Sequence, residues 1–346
     1  MKLLVLTQKV DVEDGVLGFF HGWLEKMAKS FEKINVVCLQ KGRNILPGNI
    51  QVFSLGKESG ESKIKYLFRF FRHIWQLRKE YDAVFVHMNA IYVVLGGLFW
   101  LLSRKKVVLW YNHRHGNLIS RSAYYLAARV LYTSSFSFFV GRGKTQQMPA
   151  GVDTDLFKND TAVQKIDNSI LYLGRIAPIK NTDILIEAAK LLKQEGLGFV
   201  LNIVGNAATK DCVYFEKIKS AAKDLEMVGC LKFVNEVANR QAPKIYNQNE
   251  IFVNLTNSGS LDKTILEAMA CETLTIVSNR SFIDVLPDQF VFEENNAQDL
   301  KTKLGVVLNL TSEKKHEIGK KFRDYVVNNH SLDLLVKQLQ TIFENN

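Results

Sequence analysis

The hydrophobic and polar positions of the chain form two alternating kinds of pattern. Short apolar runs rich in β-branched and aromatic residues are separated by longer segments with the three-to-four-residue spacing of amphipathic helices. We predict strands in the first half at 2–8, 34–40, 50–55, 83–88, 106–112 and 136–141, and in the second half at 169–175, 199–205, 231–236, 251–256, 274–279 and 290–292. Strands that alternate with helices are typical of parallel sheets covered by helices on both faces.

A polar, turn-rich segment separates the two series of strands. It reads PAGVDTDLFKNDTAVQKIDN, residues 149–168, and we interpret it as a hinge. A chain of 346 residues exceeds the usual size of one hydrophobic core. We therefore predict an α/β protein with two Rossmann-like, doubly wound parallel-sheet domains, at 1–160 and 161–328, and ligands bound beyond the carboxyl ends of the strands. No strand is predicted beyond residue 292, so the C-terminal helix, 329–346, can pack back on the N-terminal domain.

The composition is that of an ordinary globular protein, which we expect in the cytoplasm. Apolar residues make up 47% of the chain and charged residues 23%, enough material for two cores. Met1 to Gln8 is expected to be a strand rather than a signal peptide. The longest apolar run, Ala90 to Leu102, has 13 residues, short of the roughly 20 that cross a bilayer. The four cysteines are scattered without metal-ligand spacing, so we expect neither a disulfide framework nor a zinc site.

The positive charge lies in the first half of the chain. Residues 1–160 carry 23 Lys and Arg against 12 Asp and Glu, and the remainder 22 against 23, an asymmetry that suggests contact with a polyanionic surface. Segment 63–82, KIKYLFRFFRHIWQLRKEYD, interleaves cations with aromatic residues, as a basic amphipathic helix on an anionic membrane does. A core helix with a solvated basic face is the alternative, and no recognition motif supports a nucleic-acid surface. The candidate membrane contacts are Lys65, Arg69, Arg72 and Trp75.

Two cations follow the first strand of the second domain. In LYLGRIAPIKNTDILIEAAKLL, residues 171–192, the strand ends at Gly174, and a loop separates Arg175 from Lys180 before a helix begins near Asn181. An arginine fork and a lysine at the top of a strand suit a diphosphate, and neither needs a metal. Two surface cations on a solvated loop are the alternative.

A buried carboxylate marks the stretch NSGSLDKTILEAMACE, residues 257–272. Its small residues let another group approach the loop, and Ser260 or Asp262 is expected to cap a helix whose first amides form an anion site. Glu267 lies one turn further in, among apolar residues, where an unpaired carboxylate is costly. A second anion beside a phosphate would be repelled, so we expect Glu267 to accept hydrogen bonds from two adjacent ribose hydroxyls. A lysine or backbone partner is the alternative.

A histidine follows a strand of the first domain. In VVLWYNHRHGN, residues 107–117, His113 lies where it could carry a proton or donate to a sugar hydroxyl. His115 competes for that role, and a structural histidine is the alternative.

The loop VDVEDGVLGFFHGW, residues 10–23, brings Gly18 to the start of a helix, but its glycines do not follow the GxGxxG pattern. A nicotinamide dehydrogenase is therefore disfavoured.

Taken in order, these motifs resemble a glycosyltransferase of the GT-B fold, most similar to retaining family 4. GRIAPIKN resembles that family's Gly-Arg segment with its later lysine, IVGNA its strand-end glycine, and LKFVNEV its base-binding strand. PAGVDTDLF resembles its inter-domain signature, and LEAMACETLTIVSN its nucleotide-sugar helix and following strand. The resemblance spans nearly the whole chain and implies two Rossmann-like domains facing a cleft.

The resemblance also implies roles for single residues. Arg175 and Lys180 would bind the donor diphosphate, His113 would approach the reacting carbon of the sugar, and these three are the candidate catalytic residues. Glu267 would bind the ribose. The family usually has another glutamate eight residues before Glu267, where this chain has Gly259, so one acidic contact to the donor sugar is missing. The other implied donor contacts are Gly18, Gly205, Asn235, Glu236, Val237, Ser260, Leu261, Asp262, Lys263 and Thr264.

The activity implied by the resemblance is transfer of a hexose from a nucleotide-diphosphate sugar to a lipid-linked or cell-envelope polysaccharide or glycolipid acceptor. It would need no metal or other cofactor, because cations and helix amides stabilise the departing phosphate and that phosphate takes the acceptor's proton. We expect a peripheral enzyme of polysaccharide biosynthesis at the inner face of the cell membrane. A nucleotide-sugar epimerase or phosphorylase of GT-B architecture, or a nucleotide-sugar-binding protein without turnover, is the alternative.

Overall fold

The structure is a computed structural model that describes residues 1–259 and 261–344. Within those residues the chain divides into two compact units. Unit 1 contains Met1–Asp153, Ala238–Arg240 and the chain from His330 onward, and unit 2 contains Thr154–Val237 and Gln241–Asn329.

Helices and strands alternate along most of the chain. The α-helices are α1 (Phe19–Met27), α2 (Lys63–Gln76), α3 (Ala90–Leu102), α4 (Leu118–Leu126), α5 (Thr182–Gln194), α6 (Cys212–Met227), α7 (Ala242–Gln248), α8 (Lys263–Ala270), α9 (Ala297–Leu308), α10 (Ser312–His330) and α11 (Leu332–Glu344). The strands are β1 (Lys2–Val10), β2 (Lys33–Lys41), β3 (Ile50–Ser54), β4 (Ala83–His87), β5 (Lys106–Trp110), β6 (Arg129–Tyr132), β7 (Thr145–Gln147), β8 (Ile166–Leu173), β9 (Val200–Val204), β10 (Leu231–Val234), β11 (Asn249–Asn254) and β12 (Leu274–Val277).

Unit 1 is built on a parallel sheet. Its strands follow the order β3-β2-β1-β4-β5-β6-β7 among the described residues. The central strand β1 pairs with β2 and β4, so that Leu3 lies opposite both Ile34 and Ala83. Both faces of β1 are buried, because the apolar run from Leu3 to Leu6 has no exposed surface. A continuous apolar strand of this kind requires helices on both sides of the sheet.

Two helical layers cover the sheet of unit 1. On one face α1 and α11 pack together, and Phe20, Trp23, Leu24 and Met27 form the apolar side of α1 at the three-to-four-residue spacing of a helix. On the opposite face α2, α3 and α4 form a second core, which contains Phe70 of α2. The outer sides of these three helices are therefore turned away from the sheet.

Unit 2 is built on a second parallel sheet with strand order β10-β9-β8-β11-β12. Its first strand, β8, pairs with β9 on one side and with β11 on the other. The chain therefore fills one half of the sheet, returns to β8 and then fills the other half. Both units thus have the doubly wound parallel α/β architecture that the alternating pattern predicts.

Two of the predicted strands are wrong. Residues 136–141 form turns, because Ser134 accepts a hydrogen bond from the amide of Ser137, whose hydroxyl donates to the carbonyl of Tyr111. The aromatic residues of that run fill the core instead, and Phe139 is fully buried. The sheet continues through β6 and β7. Segment 290–292 makes only an isolated bridge between Val277 and Val291, with Phe290 buried.

Over the described residues, no helix combines the length and the apolar character needed to span a membrane.

Candidate functional site

The residues that the sequence indicates in unit 2 gather at the carboxyl edge of its sheet. Arg175 follows β8, Gly205 follows β9, Asn235 follows β10, and the loop to α8 follows β11. The strand order reverses between β8 and β11, since the chain moves outward from β8 in both directions. Loops that diverge at such a switch point leave a crevice suited to a ligand.

Lys180 and Asp262 meet at this switch point, one from the loop after β8 and the other from the loop after β11. The Lys180 ammonium lies 2.6 Å from Oδ2 of Asp262 and donates to the hydroxyl of Thr256 at 3.0 Å. Asp262 Oδ2 also accepts from Nδ2 of Asn254 at 3.2 Å and from the Thr256 hydroxyl at 3.1 Å. The Lys180 side chain is 25% exposed and that of Asp262 15%, so the pair is largely shielded from water.

Asp262 also caps α8. Its Oδ1 accepts from the amide of Thr264 at 3.3 Å and from the Thr264 hydroxyl at 2.9 Å. Burial opposes ionisation of this carboxyl, but the charge of Lys180 and the hydrogen bonds from Asn254 and Thr264 hold the pKa of Asp262 well below its usual range. The N-terminus of α8, where sequence predicts an anion site, therefore has an ionised carboxylate of its own.

Arg175, the other cation of the loop, is exposed. Its carbonyl accepts a hydrogen bond of 2.9 Å from the buried hydroxyl of Tyr172, which fixes the backbone. In the part of the chain that the structure describes, its guanidinium has no ion-pair or hydrogen-bond partner. Lys180 is thus already paired within the protein, whereas the charge of Arg175 faces solvent.

The loops after β8 and β9 touch at Gly205. The amide of Gly174 donates to the carbonyl of Val204, and that of Ile176 donates to the carbonyl of Asn206, both at 3.0 Å. A Cβ atom on Gly205 would lie 1.9 Å from the carbonyl oxygen of Gly174, and the φ of Gly205 is +148°. Glycine is required at this position for both reasons, and it holds in place the loop that carries Arg175.

Glu267 is 5% exposed in α8, and its Oε2 accepts a hydrogen bond of 3.3 Å from the hydroxyl of Tyr246 in α7. Tyr246 is fully buried, and its burial, together with the nearby charge of Glu267, raises the pKa of the Tyr246 hydroxyl well above its usual value. Burial lowers the pKa of Lys263, one helical turn before Glu267, and the charge of Glu267 opposes that shift. The buried carboxylate therefore has partners within unit 2.

Other residues of unit 2 that the resemblance implies as donor contacts follow β10 or lie at the start of α8. Just beyond β10, Asn235 and Glu236 are exposed and Val237 is partly exposed. At the start of α8, the side chains of Leu261, Lys263 and Thr264 are partly exposed. Ser260 lies outside the described residues.

Gly259 occupies the position of the missing acidic residue. It is buried and has a φ of 134°, in the region that favours glycine. In this conformation a side chain at position 259 would be strained.

His113 and Gly18 lie in unit 1, beyond the carboxyl ends of β5 and β1. The ring of His113 packs edge-on against Tyr111 with 5.1 Å between centroids, and the His113 carbonyl accepts from the amide of Phe138 at 3.0 Å. His113 is exposed at the surface, although partial burial lowers its pKa and favours the neutral ring. Gly18 precedes α1, and its amide donates to the carbonyl of Asp14 at 3.0 Å.

The four candidate membrane contacts lie on α2 but differ in their surroundings. Lys65 and Arg69 pair with Glu61 at 2.7 and 2.9 Å. Arg72 is exposed, and Trp75 is 57% exposed. Arg69 therefore points toward the protein, while Arg72 and Trp75 point toward solvent.

Sequence reasoning missed the partners of these residues. Asn254 and Thr256, which orient Asp262, lie at the end of the apolar run IFVNLT, and Tyr246 lies in the short helix α7. The signal that could have identified Asn254 and Thr256 is their position, since both are polar residues at the end of an apolar strand. Nothing in the local pattern around Tyr246 indicates that it reaches Glu267.

Throughout 1–259 and 261–344, no three His, Cys, Asp or Glu side chains are grouped so as to hold a metal ion.

Several solved structures resemble this chain over all or nearly all of its length. The crystal structure of Anabaena Alr3699/HepE in complex with UDP has a TM-score of 0.79 at 17% identity, covering 100% of both chains. A glycosyltransferase from Rickettsia africae has a TM-score of 0.77 at 16% identity, also over 100% of both chains. WaaG, a glycosyltransferase involved in lipopolysaccharide biosynthesis, has a TM-score of 0.71 at 13% identity, over 99% of this chain and 100% of that one. These likenesses confirm the GT-B fold.

The family described as glycosyl transferases group 1 matches residues 153–325, half of the chain. No curated protein matches by sequence.

Proposed function

Since the chain belongs to the glycosyl transferases of group 1, we propose that it is a retaining enzyme of family 4. It moves a hexose from a nucleotide-diphosphate sugar to a lipid-linked or cell-envelope polysaccharide or glycolipid acceptor, and it uses no metal. The observation that carries this proposal is the convergence of Lys180, from the loop after β8, on the N-terminus of α8 at the switch point of unit 2.

The diphosphate of the donor binds at that crevice. Arg175 and Lys180 come from one loop, and the amides at the start of α8 add a helix dipole, so three sources of positive potential favour the phosphates. Glu267 accepts hydrogen bonds from the ribose, and residues 235–237 lie beside the base. Crystal structures of HepE hold UDP and UDP-glucose, so UDP-glucose is the first donor to test.

The reaction breaks the bond between the anomeric carbon and the β-phosphate oxygen of the donor. The electron pair of that bond remains on the phosphate, where Arg175, Lys180 and the helix amides stabilise it. The acceptor hydroxyl bonds to the anomeric carbon on the face that the phosphate leaves, and its proton passes to the departing phosphate. His113, neutral at working pH, donates to a hydroxyl of the sugar and positions the reacting carbon.

An anionic, amphiphilic acceptor fits the composition of unit 1. Residues 83–152 contain eight Lys and Arg and no Asp or Glu. The layer formed by α2, α3 and α4 exposes large apolar side chains as well. We name this surface the apolar-basic face. Its apolar residues, each more than half exposed, are Ile64, Phe68, Trp75, Leu98, Leu101, Leu102 and Leu118. Exposed apolar groups with basic neighbours suit the surface of an anionic bilayer. The enzyme therefore works as a peripheral membrane protein on the cytoplasmic side.

A nucleotide-sugar-binding protein without turnover is the second candidate. Gly259, which replaces the acidic contact to the donor sugar, and the Lys180–Asp262 ion pair both favour it. Release of free UDP from UDP-glucose, in the presence of membrane lipid extract, distinguishes the two, because only a transferase turns over.

The donor site is tested by nucleotide binding. A panel of UDP, GDP and ADP sugars is screened by thermal shift, and the affinity of the best donor is measured by calorimetry. Arg175→Ala and Lys180→Ala are expected to weaken it by at least about tenfold each, since each removes a charge-assisted contact to phosphate. Lys193→Ala, an exposed cation at the far end of α5, is the matched control and should bind as the wild type does. Unchanged binding in both loop variants would contradict the proposal.

A further inference from the structure

The diphosphate site of unit 2 already contains an anion that belongs to the protein. Asp262 provides a carboxylate to the Lys180 ammonium at 2.6 Å and accepts the amide of Thr264 at the N-terminus of α8 at 3.3 Å. These are two of the three groups on which the proposed donor phosphates depend. The same groups cannot be fully engaged by Asp262 and by phosphate oxygens at once.

Asp262 is held in place independently of Lys180. Its oxygens also accept from Nδ2 of Asn254 and from the hydroxyls of Thr256 and Thr264, at 3.2, 3.1 and 2.9 Å. These neutral donors keep the carboxylate fixed when the lysine moves. Lys180 ends a short 3-10 turn, Pro178–Lys180, and carries its charge on a long flexible side chain. The lysine is therefore the partner that can exchange one anion for another.

We propose that Asp262 is an internal counter-anion that competes with the donor diphosphate for Lys180 and, by recovering Lys180, promotes release of the nucleoside diphosphate product. The inference rests on the proposed function, since it concerns the same phosphate site. In the empty site the ion pair neutralises Lys180. When the donor binds, Lys180 moves to the phosphates and the fixed carboxylate repels them. After transfer, this repulsion and the return of Lys180 to Asp262 favour departure of the product.

The competition predicts a gain of affinity when the carboxylate is neutralised. Asp262→Asn keeps the shape of the side chain and its ability to cap α8, and it should bind UDP or GDP about tenfold more tightly, with slower dissociation. Affinity is measured by calorimetry and dissociation by stopped-flow displacement. A merely structural role for Asp262 would give weaker binding instead, because damage to the site does not create affinity.

A double-mutant cycle shows whether the effect acts through Lys180. In the Lys180→Met background, Asp262→Asn should change the affinity by much less than it does in the wild type. Asp183→Asn is the matched control, since Asp183 lies in the first turn of α5 and accepts from the Tyr214 hydroxyl at 2.7 Å rather than from a cation. It should leave nucleotide affinity unchanged.

The possible failures are distinguishable. If the wild type binds a nucleoside diphosphate and Asp262→Asn binds it equally or more weakly, the inference is overturned and the proposed function stands. If the wild type and Asp262→Asn both fail to bind UDP, GDP and ADP, the donor site itself is refuted, and the inference falls with it.

Discussion

The hydroxyl of Tyr246 donates a hydrogen bond of 3.3 Å to Oε2 of Glu267, and both side chains are buried in unit 2. A carboxylate in such surroundings is costly unless donors satisfy it. Tyr246 therefore supports the position of Glu267 from inside the protein. A bound ligand therefore has to donate its hydrogen bonds to the acceptor sites of the Glu267 carboxylate that Tyr246 does not occupy.

Removing the Tyr246 hydroxyl is expected to destabilise unit 2. In Tyr246→Phe a buried carboxylate oxygen loses a donor, so the free energy of unfolding should fall by roughly 1–3 kcal/mol, as measured by urea denaturation at neutral pH. Tyr172→Phe is the matched control, because the hydroxyl of Tyr172 donates to the neutral carbonyl of Arg175. Tyr172→Phe should lower the free energy of unfolding by less than Tyr246→Phe does, because a hydrogen bond to a charged acceptor is stronger. A larger loss in Tyr172→Phe would contradict this explanation.

Glu267 is expected to distinguish ribose from deoxyribose. If its carboxylate accepts from the ribose hydroxyls, the wild type should bind UDP roughly tenfold more tightly than 2′-deoxy-UDP or 3′-deoxy-UDP. Glu267→Gln should bind UDP less well and lose most of that preference. Equal preference for ribose in the wild type and the variant would show that Glu267 serves the fold alone.

Gly205→Ala is expected to disturb the donor site through the backbone. The new Cβ would lie 1.9 Å from the carbonyl oxygen of Gly174, so the loop that carries Arg175 has to shift. We expect a loss of roughly 1–3 kcal/mol in the free energy of unfolding, together with weaker nucleotide binding. Gly198→Ala is the control, since nothing lies within 4 Å of a Cβ there. A stable Gly205→Ala variant with wild-type affinity would refute this account.

The alternating pattern predicted the two parallel sheets because a strand buried on both faces must be apolar throughout. It also brought Arg175, Lys180 and Asp262 to one edge, since strands of a parallel sheet end on the same side. It could not predict that Lys180 pairs with Asp262, which lies 82 positions later. That contact depends on the path of two loops.

Asn181 shows the same limit. The sequence predicts that a helix begins near Asn181, and Asn181 directly precedes α5, but it has a φ of 49° and its side chain donates to the carbonyl of Leu255 rather than accepting from the first turn of the helix.

Acid should destabilise unit 1 through His330. Nδ1 of this ring accepts from the amide of Ala150 at 3.3 Å, and burial lowers the pKa of His330 from 6.5 to about 4. Between those values the unfolded chain binds the proton and the folded chain does not. The free energy of unfolding should therefore fall as the pH decreases from about 6.5 to about 4, by an amount on the order of 3 kcal/mol.

A substitution isolates that contribution. His330→Asn retains an acceptor for the Ala150 amide but does not titrate in this range. Urea denaturation at several pH values should show a shallower dependence in the variant than in the wild type. If the free energies of unfolding of the wild type and the variant change with pH in parallel, the acid sensitivity comes from other groups. His21 and His73 are examples, since burial also lowers their pKa values.

The apolar-basic face should bind anionic membranes by two separable contributions. Phe68→Ser and Trp75→Ser remove exposed apolar area, 68% and 57% exposed respectively, and should weaken binding to vesicles at all salt concentrations. Arg72→Gln removes a charge worth about 1 kcal/mol near an anionic surface, so its effect should vanish at high salt. Arg69→Gln should matter less, because Arg69 already pairs with Glu61.

Co-sedimentation with phosphatidylglycerol vesicles measures these effects, and phosphatidylcholine vesicles provide the uncharged reference. Val213→Ser is the matched control, since Val213 is 73% exposed on α6 of unit 2. The apolar-basic face binds the bilayer only if the α2 variants lose binding and this control retains it. Equal sedimentation of all variants would show that the apolar-basic face does not bind the bilayer, and the proposed membrane contact would be refuted.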